Sequence, residues 1–357
     1  MSRFLIGRYR DIEEYTPGEQ PQNMDQFIKL NTNESPYPPS PRVIRALNSE
    51  EAAKLRLYCD PDCGELTRKL AALYGVEPKN VFFSNGSDDI LNFIFMIFCG
   101  EETPAAFPAI SYGFYKVYAQ LHRVDAVKIP LKEDFSIDYK DYCGLGRTII
   151  IANPNAPTGQ TLSLPEIEEI LKTNPENVVV IDEAYVDFGA DSAVPLTKKY
   201  DNLLVVQTFS KSRSMAGARL GFAIGNENLI ADLTKIKYST NPYNINRLTQ
   251  AAACAAIDED DYYKENGRKI QECRTYTVEK LEAMGFDIIP SKANFIFIKN
   301  EQIDGEKLYA LLKERKILIR HFTDPQIAQY NRVTIGTKEQ MDAFLKAVEE
   351  ILREERK

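Results

Sequence analysis

A lysine closes an apolar run in this chain. Asn202-Leu203-Leu204-Val205-Val206 reads as a short buried strand, and Thr208-Phe209-Ser210-Lys211-Ser212-Arg213 follows it. A lysine at the lip of a strand, inside a pocket, can shed its proton. Burial and nearby cations lower an ammonium pKa from roughly 10.4. The free amine is a nucleophile toward carbonyl carbon. Taken alone, Lys211 has the ordinary reading of a solvated loop residue, so its partners decide the matter.

Three other stretches carry matching chemistry. Asn85-Gly86-Ser87-Asp88 enters a helix, where free backbone N–H groups and a hydroxyl make a phosphate seat. Asn153-Pro154-Asn155-Ala156-Pro157-Thr158-Gly159 is a rigid turn after a strand ending at Ala152. Ile181-Asp182-Glu183-Ala184-Tyr185 ends a strand on a half-buried carboxylate, which wants a cationic partner such as a protonated ring nitrogen. Tyr185 can offer a phenol to the same ligand, and Ser210 and Arg219 add phosphate-binding groups. Each stretch alone is satisfied by a cap, a tight turn or a structural ion pair. Together they supply a phosphate seat, a carboxylate for a pyridinium, a phenol for a ring oxygen and an amine for an aldehyde. Those are the functional groups of pyridoxal phosphate.

The elements that must position these residues alternate between strand and helix from Val81 onward. Strands are expected at 81–84, 103–107, 126–130, 148–152, 178–182, 203–207 and 220–224. Helices are expected at 41–47, 64–74, 90–98, 112–120, 164–172 and 227–238. Continuous runs such as Thr148-Ile149-Ile150-Ile151 and Val178-Val179-Val180-Ile181 fit strands buried on both faces. Alternating units of this kind argue for an α/β fold with a mostly parallel sheet. In such a sheet the carboxyl ends of the strands face the ligand crevice. After about residue 245 the texture changes to a long polar helical stretch with an acidic break at 258–261, then an α+β unit. The organisation expected is an arm over 1–28, a large domain over 29–245 and a small domain over 246–357.

Bulk properties narrow the function. At 357 residues, two domains are the natural expectation. A net charge of −8 argues against a general nucleic-acid or anionic-membrane surface. There is no long apolar segment of the secretory or membrane-spanning kind, so a cytoplasmic protein is expected. The six scattered cysteines do not form a disulfide framework or a zinc set, and no metal is expected. Two histidines, His122 and His321, leave little material for Ser-His-Asp or His-metal chemistry.

Nearly end to end, the chain resembles the fold-type I pyridoxal-phosphate aminotransferases, and within them the histidinol-phosphate aminotransferase family. The resemblance is carried by Tyr15-Thr16-Pro17-Gly18-Glu19-Gln20, Leu30-Asn31-Thr32-Asn33-Glu34-Ser35-Pro36-Tyr37, Tyr58 before Asp60-Pro61, Asn85-Gly86-Ser87-Asp88, and Tyr112 after Pro108. Further along it is carried by Pro157-Thr158-Gly159, Asp182-Glu183-Ala184-Tyr185, Ser210-Lys211 with Arg219, Arg320-His321-Phe322 and Arg332-Val333-Thr334-Ile335-Gly336-Thr337.

The resemblance implies roles. Lys211 would anchor pyridoxal phosphate and move protons. Asp182 would keep the pyridine nitrogen protonated, Tyr185 would hydrogen-bond the ring oxygen, and Tyr112 would stack on the ring. Gly86, Ser87, Asp88, Ser210 and Arg219 would surround the phosphate. Tyr58 would reach the cofactor of a second subunit, which makes a homodimer with shared active sites part of the expectation. Arg332, assisted by Arg320, would take the substrate anion, with Tyr15 and Asn33 also at the substrate. The implied reaction is amino transfer between L-histidinol phosphate and 2-oxoglutarate in histidine biosynthesis. Rival readings are an aromatic aminotransferase, a threonine-phosphate decarboxylase and an aminotransferase-like ligand sensor. One departure stands out. The family usually has Asn directly before Pro-Thr-Gly, donating to the ring oxygen, and here that position is Ala156. Either Tyr185 carries the contact alone or Asn155 swings in.

Overall fold

The computed structural model describes residues 2–356. Its strands, in chain order, are β1 Ile28–Lys29, β2 Val81–Ser84, β3 Ala105–Pro108, β4 Ala126–Ile129, β5 Thr148–Ala152, β6 Val179–Asp182, β7 Leu203–Thr208, β8 Gly221–Gly225, β9 Phe286–Ile289, β10 Phe295–Asn300, β11 Ile317–Leu318, β12 Arg320–His321 and β13 Asn331–Thr334. Seven of them form the large sheet, in the order β2-β8-β7-β6-β5-β3-β4. All neighbours pair in parallel except those of β8, which runs antiparallel to both β2 and β7.

Alternate residues of the sheet feed two apolar layers. Ile149, Ile151, Val179, Ile181, Leu203 and Val205 face one layer. Ile150, Val180, Leu204 and Val206 face the other, with the helices Ser87–Ile97 and Phe114–His122. Both faces are covered, which is why the sequence shows unbroken β-branched runs here and no alternation. The helix Leu164–Thr173 starts where Ser163 and Glu166 form a capping box with Pro165 in the first turn. These satisfy the orphan N–H groups of that end. The helix after β2 begins at Ser87, three residues earlier than its apolar pattern suggests.

The smaller unit is a four-stranded antiparallel sheet, β12-β13-β10-β9, packed against the helices Gly305–Glu314 and Lys338–Glu355. The boundary expected at residue 245 is not where the packing changes. The helix Arg247–Ile257 buries Ala252, Ala253 and Ala256 in the large core. The next helix, Asp260–Ala283, gives Tyr263 to the large core but Ile270, Cys273 and Leu281 to the small one. The change of core falls inside one continuous helix, which carries no turn signal for a sequence reading to find. The start of the expected large domain also departs from expectation: β1 pairs with β11, and Leu30 packs in the small core. No helix among the described residues is long and apolar enough to cross a membrane.

Candidate active site

Six segments converge at one edge of the large sheet. The carboxyl ends of β2, β3, β5, β6 and β7 lie there because these strands point the same way. Arg219, just before β8, joins them only because β8 runs in the opposite direction. Ser87, Asp88, Tyr112, Ala156, Asp182, Tyr185, Ser210, Lys211 and Arg219 line one cleft at this edge, with Ala152, Ala184 and Thr208.

The anion seat comes first in the chain. Gly86 caps the helix Ser87–Ile97 at φ 90°, and no side chain caps it. The backbone N–H groups of the first turn stay open for an anion. A Cβ on Gly86 would sit 2.7 Å from Arg219 Nη2, so glycine is required both for its φ and for this approach. Arg219 donates to Asp88 Oδ2 at 2.9 Å and reaches Ser210 Oγ at 3.5 Å. Tyr112 donates to Asp88 Oδ1 at 2.6 Å, which fixes its ring at the cleft wall.

Asp182 ends β6 and is 4% exposed. It accepts from Tyr115 Oη at 2.8 Å and from the Ala184 N–H at 3.3 Å, and neither donor is a cation. Burial pushes its carboxyl up to about 6, against the opposing pull of Tyr115, Ala184 and Lys211. Such a group is a carboxylate waiting for a counter-ion. Lys211 Nζ donates to the Thr32 carbonyl at 3.2 Å and lies 5.6 Å from the centre of the Tyr185 ring. Tyr185 packs edge-on against Phe295 at 5.0 Å.

Arg332, on β13, does not line this cleft but lies near its residues Tyr185 and Tyr112. Its Nη2 donates to the Asn31 carbonyl at 3.0 Å, while its Nε is sealed from solvent without a partner. The guanidinium lies over Phe295 and Phe322 at 5.3 and 5.9 Å. Burial lowers its pKa, and the charged or titratable neighbours that act on it are Tyr185, Tyr15, Arg320 and Tyr112. No carboxylate is among them. Arg320 instead donates to the carbonyls of Pro17 and Thr16, both at 3.0 Å, and so fastens the N-terminal arm. The arm thereby sets Tyr15 on Phe114 at 4.1 Å, and 6.2 Å from Tyr112. Burial raises the Tyr15 phenol pKa, opposed by Arg332 and Arg320.

Two expected site residues have other partners in this structure. Asn155 does not swing into the cleft. Its amide donates to the Ile110 carbonyl and Thr158 Oγ1, and its oxygen accepts from Ser111 at 2.7 Å, so the whole side chain is spent on holding the turn. Asn33, expected at the substrate, has its amide bonded to Tyr185 and Thr334. Tyr58 lies outside this chain's cleft, 79% exposed and stacked on Tyr243 at 4.5 Å. Sequence reasoning missed Tyr115. Its three-residue spacing from Tyr112 was the only signal, and core tyrosines share that spacing.

The residues present fit pyridoxal phosphate. They offer an anion seat, a buried carboxylate lacking a cation, a phenol and an amine around one cleft. Comparison with known proteins agrees. The family model for aminotransferase class I and II matches residues 25–348. A histidinol-phosphate aminotransferase of Brachyspira hyodysenteriae is 52% identical, over 99% of this chain and all of the relative. One of Clostridium botulinum is 47% identical over 99% of each. The solved histidinol-phosphate aminotransferase of Sinorhizobium meliloti, a complex with pyridoxal-5'-phosphate, shares the fold with a TM-score of 0.87 at 23% identity, covering 99% of this chain and 100% of that one. The chain belongs to the aminotransferase class I and II family.

Proposed function

We propose that this enzyme transfers the amino group of L-histidinol phosphate to 2-oxoglutarate, within histidine biosynthesis in the cytoplasm. The observation that carries the reading is Arg332: a cation beside Tyr185 and Tyr15, with a sealed and unpartnered Nε and, among the described residues, no carboxylate in salt-bridge contact. Buried charges are retained where a counter-charge arrives. The donor's phosphate and the carboxylate of the 2-oxo acid are both anions that Arg332 can bind in turn. Full-length likeness to relatives named histidinol-phosphate aminotransferases supports the choice of donor.

Pyridoxal phosphate, when bound, supplies an aldehyde for the amino group and a ring that withdraws electrons from the α-carbon. The chain's residues do the rest. The open first turn of Ser87–Ile97, with Ser87, Ser210 and Arg219, binds the phosphate. The buried Asp182 holds the proton on the ring nitrogen, because its own charge needs a cation and a solvated carboxylate would not. Tyr185 donates to the ring oxygen without help from position 156. Lys211 is the amine that would hold the aldehyde group, and its Nζ would carry a proton to and from the α-carbon. Tyr112 and Tyr15 wall the cleft on the side of the arm. Tyr58, exposed on this chain, serves the cleft of a second copy in a homodimer.

The test is direct. Purified protein with pyridoxal phosphate, L-histidinol phosphate and 2-oxoglutarate forms glutamate, and Lys211→Ala forms none. Glutamate from phenylalanine or tyrosine but not from histidinol phosphate would sink the choice of donor. Release of carbon dioxide from threonine phosphate would replace the reaction class.

A further inference from the structure

Tyr185 lines the cleft, yet the direction of its hydroxyl proton is set from behind. Asn33 is 1% exposed. Its backbone N–H donates to Thr334 Oγ1 at 3.0 Å, and the Thr334 hydroxyl donates back to Asn33 Oδ1 at 3.0 Å. This reciprocal pair fixes which end of the amide faces β13. The Nδ2 end is left facing Tyr185 Oη, at 3.0 Å. An amide nitrogen only donates. The Tyr185 oxygen must accept there, so its own proton points away from Asn33. Asn33 holds a left-handed φ of 56°, which asparagine tolerates better than most residues. Its carbonyl is held by Asn294 Nδ2 at 3.0 Å.

We infer that Asn33 is a positioning residue: its amide occupies the Tyr185 oxygen, so that Tyr185 faces the cleft as a hydrogen-bond donor. The inference rests on the reading of Tyr185 as donor to the cofactor's ring oxygen. It also explains how one phenol serves where Ala156 offers no second donor. A free hydroxyl rotates between donating and accepting, whereas a pinned one presents its proton ready-made. The pin comes from β13, the strand that carries Arg332 two residues away, on the same face as Thr334.

The experiment uses the protein loaded with pyridoxal phosphate and reads the pH midpoint of the bound cofactor's absorption band. Wild type, Tyr185→Phe, Asn33→Asp and the double variant are compared. Asn33→Asp keeps the shape, tolerates the same backbone and still accepts from Thr334. It presents an acceptor to Tyr185, which draws the phenol's proton off the cleft. Tyr185→Phe and Asn33→Asp are each expected to raise the midpoint by about one pH unit, the size of a hydrogen bond to a charged acceptor. In the Tyr185→Phe background, Asn33→Asp should lose at least half of its shift. Thr334→Val, which unpins the amide without adding charge, should give a smaller rise that also vanishes in that background. If Asn33→Asp keeps more than half of its shift there, added charge explains it and the inference falls, while the role of Tyr185 stands. If Tyr185→Phe leaves the midpoint unmoved, the reading of Tyr185 falls and takes the inference with it.

Discussion

Replacing Asp182 by asparagine should stabilise the cofactor-free protein while destroying its activity. Burial lifts the Asp182 carboxyl from an ordinary 3.8 to about 6. The folded protein therefore holds this proton more tightly than the unfolded chain does. That contribution to stability is fully present below pH 3.8 and is lost as pH rises through about 6. A displacement of about two units corresponds to about 3 kcal/mol lost at pH 8, and about half of that at pH 5. Asparagine does not ionise and escapes the loss. Its amide faces Tyr115 and the Ala184 N–H imperfectly, but that cost does not depend on pH and cancels when two pH values are compared. Urea unfolding of the cofactor-free proteins at pH 5 and pH 8 is the assay. The advantage of Asp182→Asn over wild type should grow by about 1.5 kcal/mol between the two. Adding pyridoxal phosphate should reverse the ranking, because its ring cation compensates only the carboxylate. A difference that stays flat with pH, or shrinks, would refute the picture of an uncompensated buried carboxylate.

Two further predictions concern the neighbours. Tyr115→Phe removes the 2.8 Å donor to Asp182 and should raise that carboxyl by about one to two further units. Cofactor affinity should then fall about 2- to 10-fold at pH 7 and recover by pH 9; an affinity loss independent of pH would contradict this. Arg332→Ala should lower kcat/KM for both substrates by about 10- to 100-fold, the worth of a charged hydrogen bond. Cofactor affinity should stay unchanged, and a defect confined to one of the two substrates would argue against a shared anion site.

Much of this protein was legible in its sequence because the signals are local. Unbroken β-branched runs marked the doubly covered strands. Lys211, Asp182 and Gly86 stand at strand ends, where the carboxyl edge of a parallel sheet makes a crevice, so their convergence followed from pattern alone. What only the tertiary structure decided depends on pairing and direction. The antiparallel run of β8 carries Arg219 to Gly86 and Asp88 at the helix start, and a strand's direction leaves no mark on its own residues. The passage from large to small core inside Asp260–Ala283 is likewise silent, since a continuous helix can serve two cores without a turn. Asn155 and Asn33 differ for the same reason. Both are asparagines in Pro-rich polar stretches, and only the positions of Thr158, Ile110, Thr334 and Tyr185 in space determine that one braces a turn and the other aims a phenol. The sequence determined which chemical groups are available; the direction in which the Asn33 amide points was decided by Tyr185 and Thr334, far away in the chain.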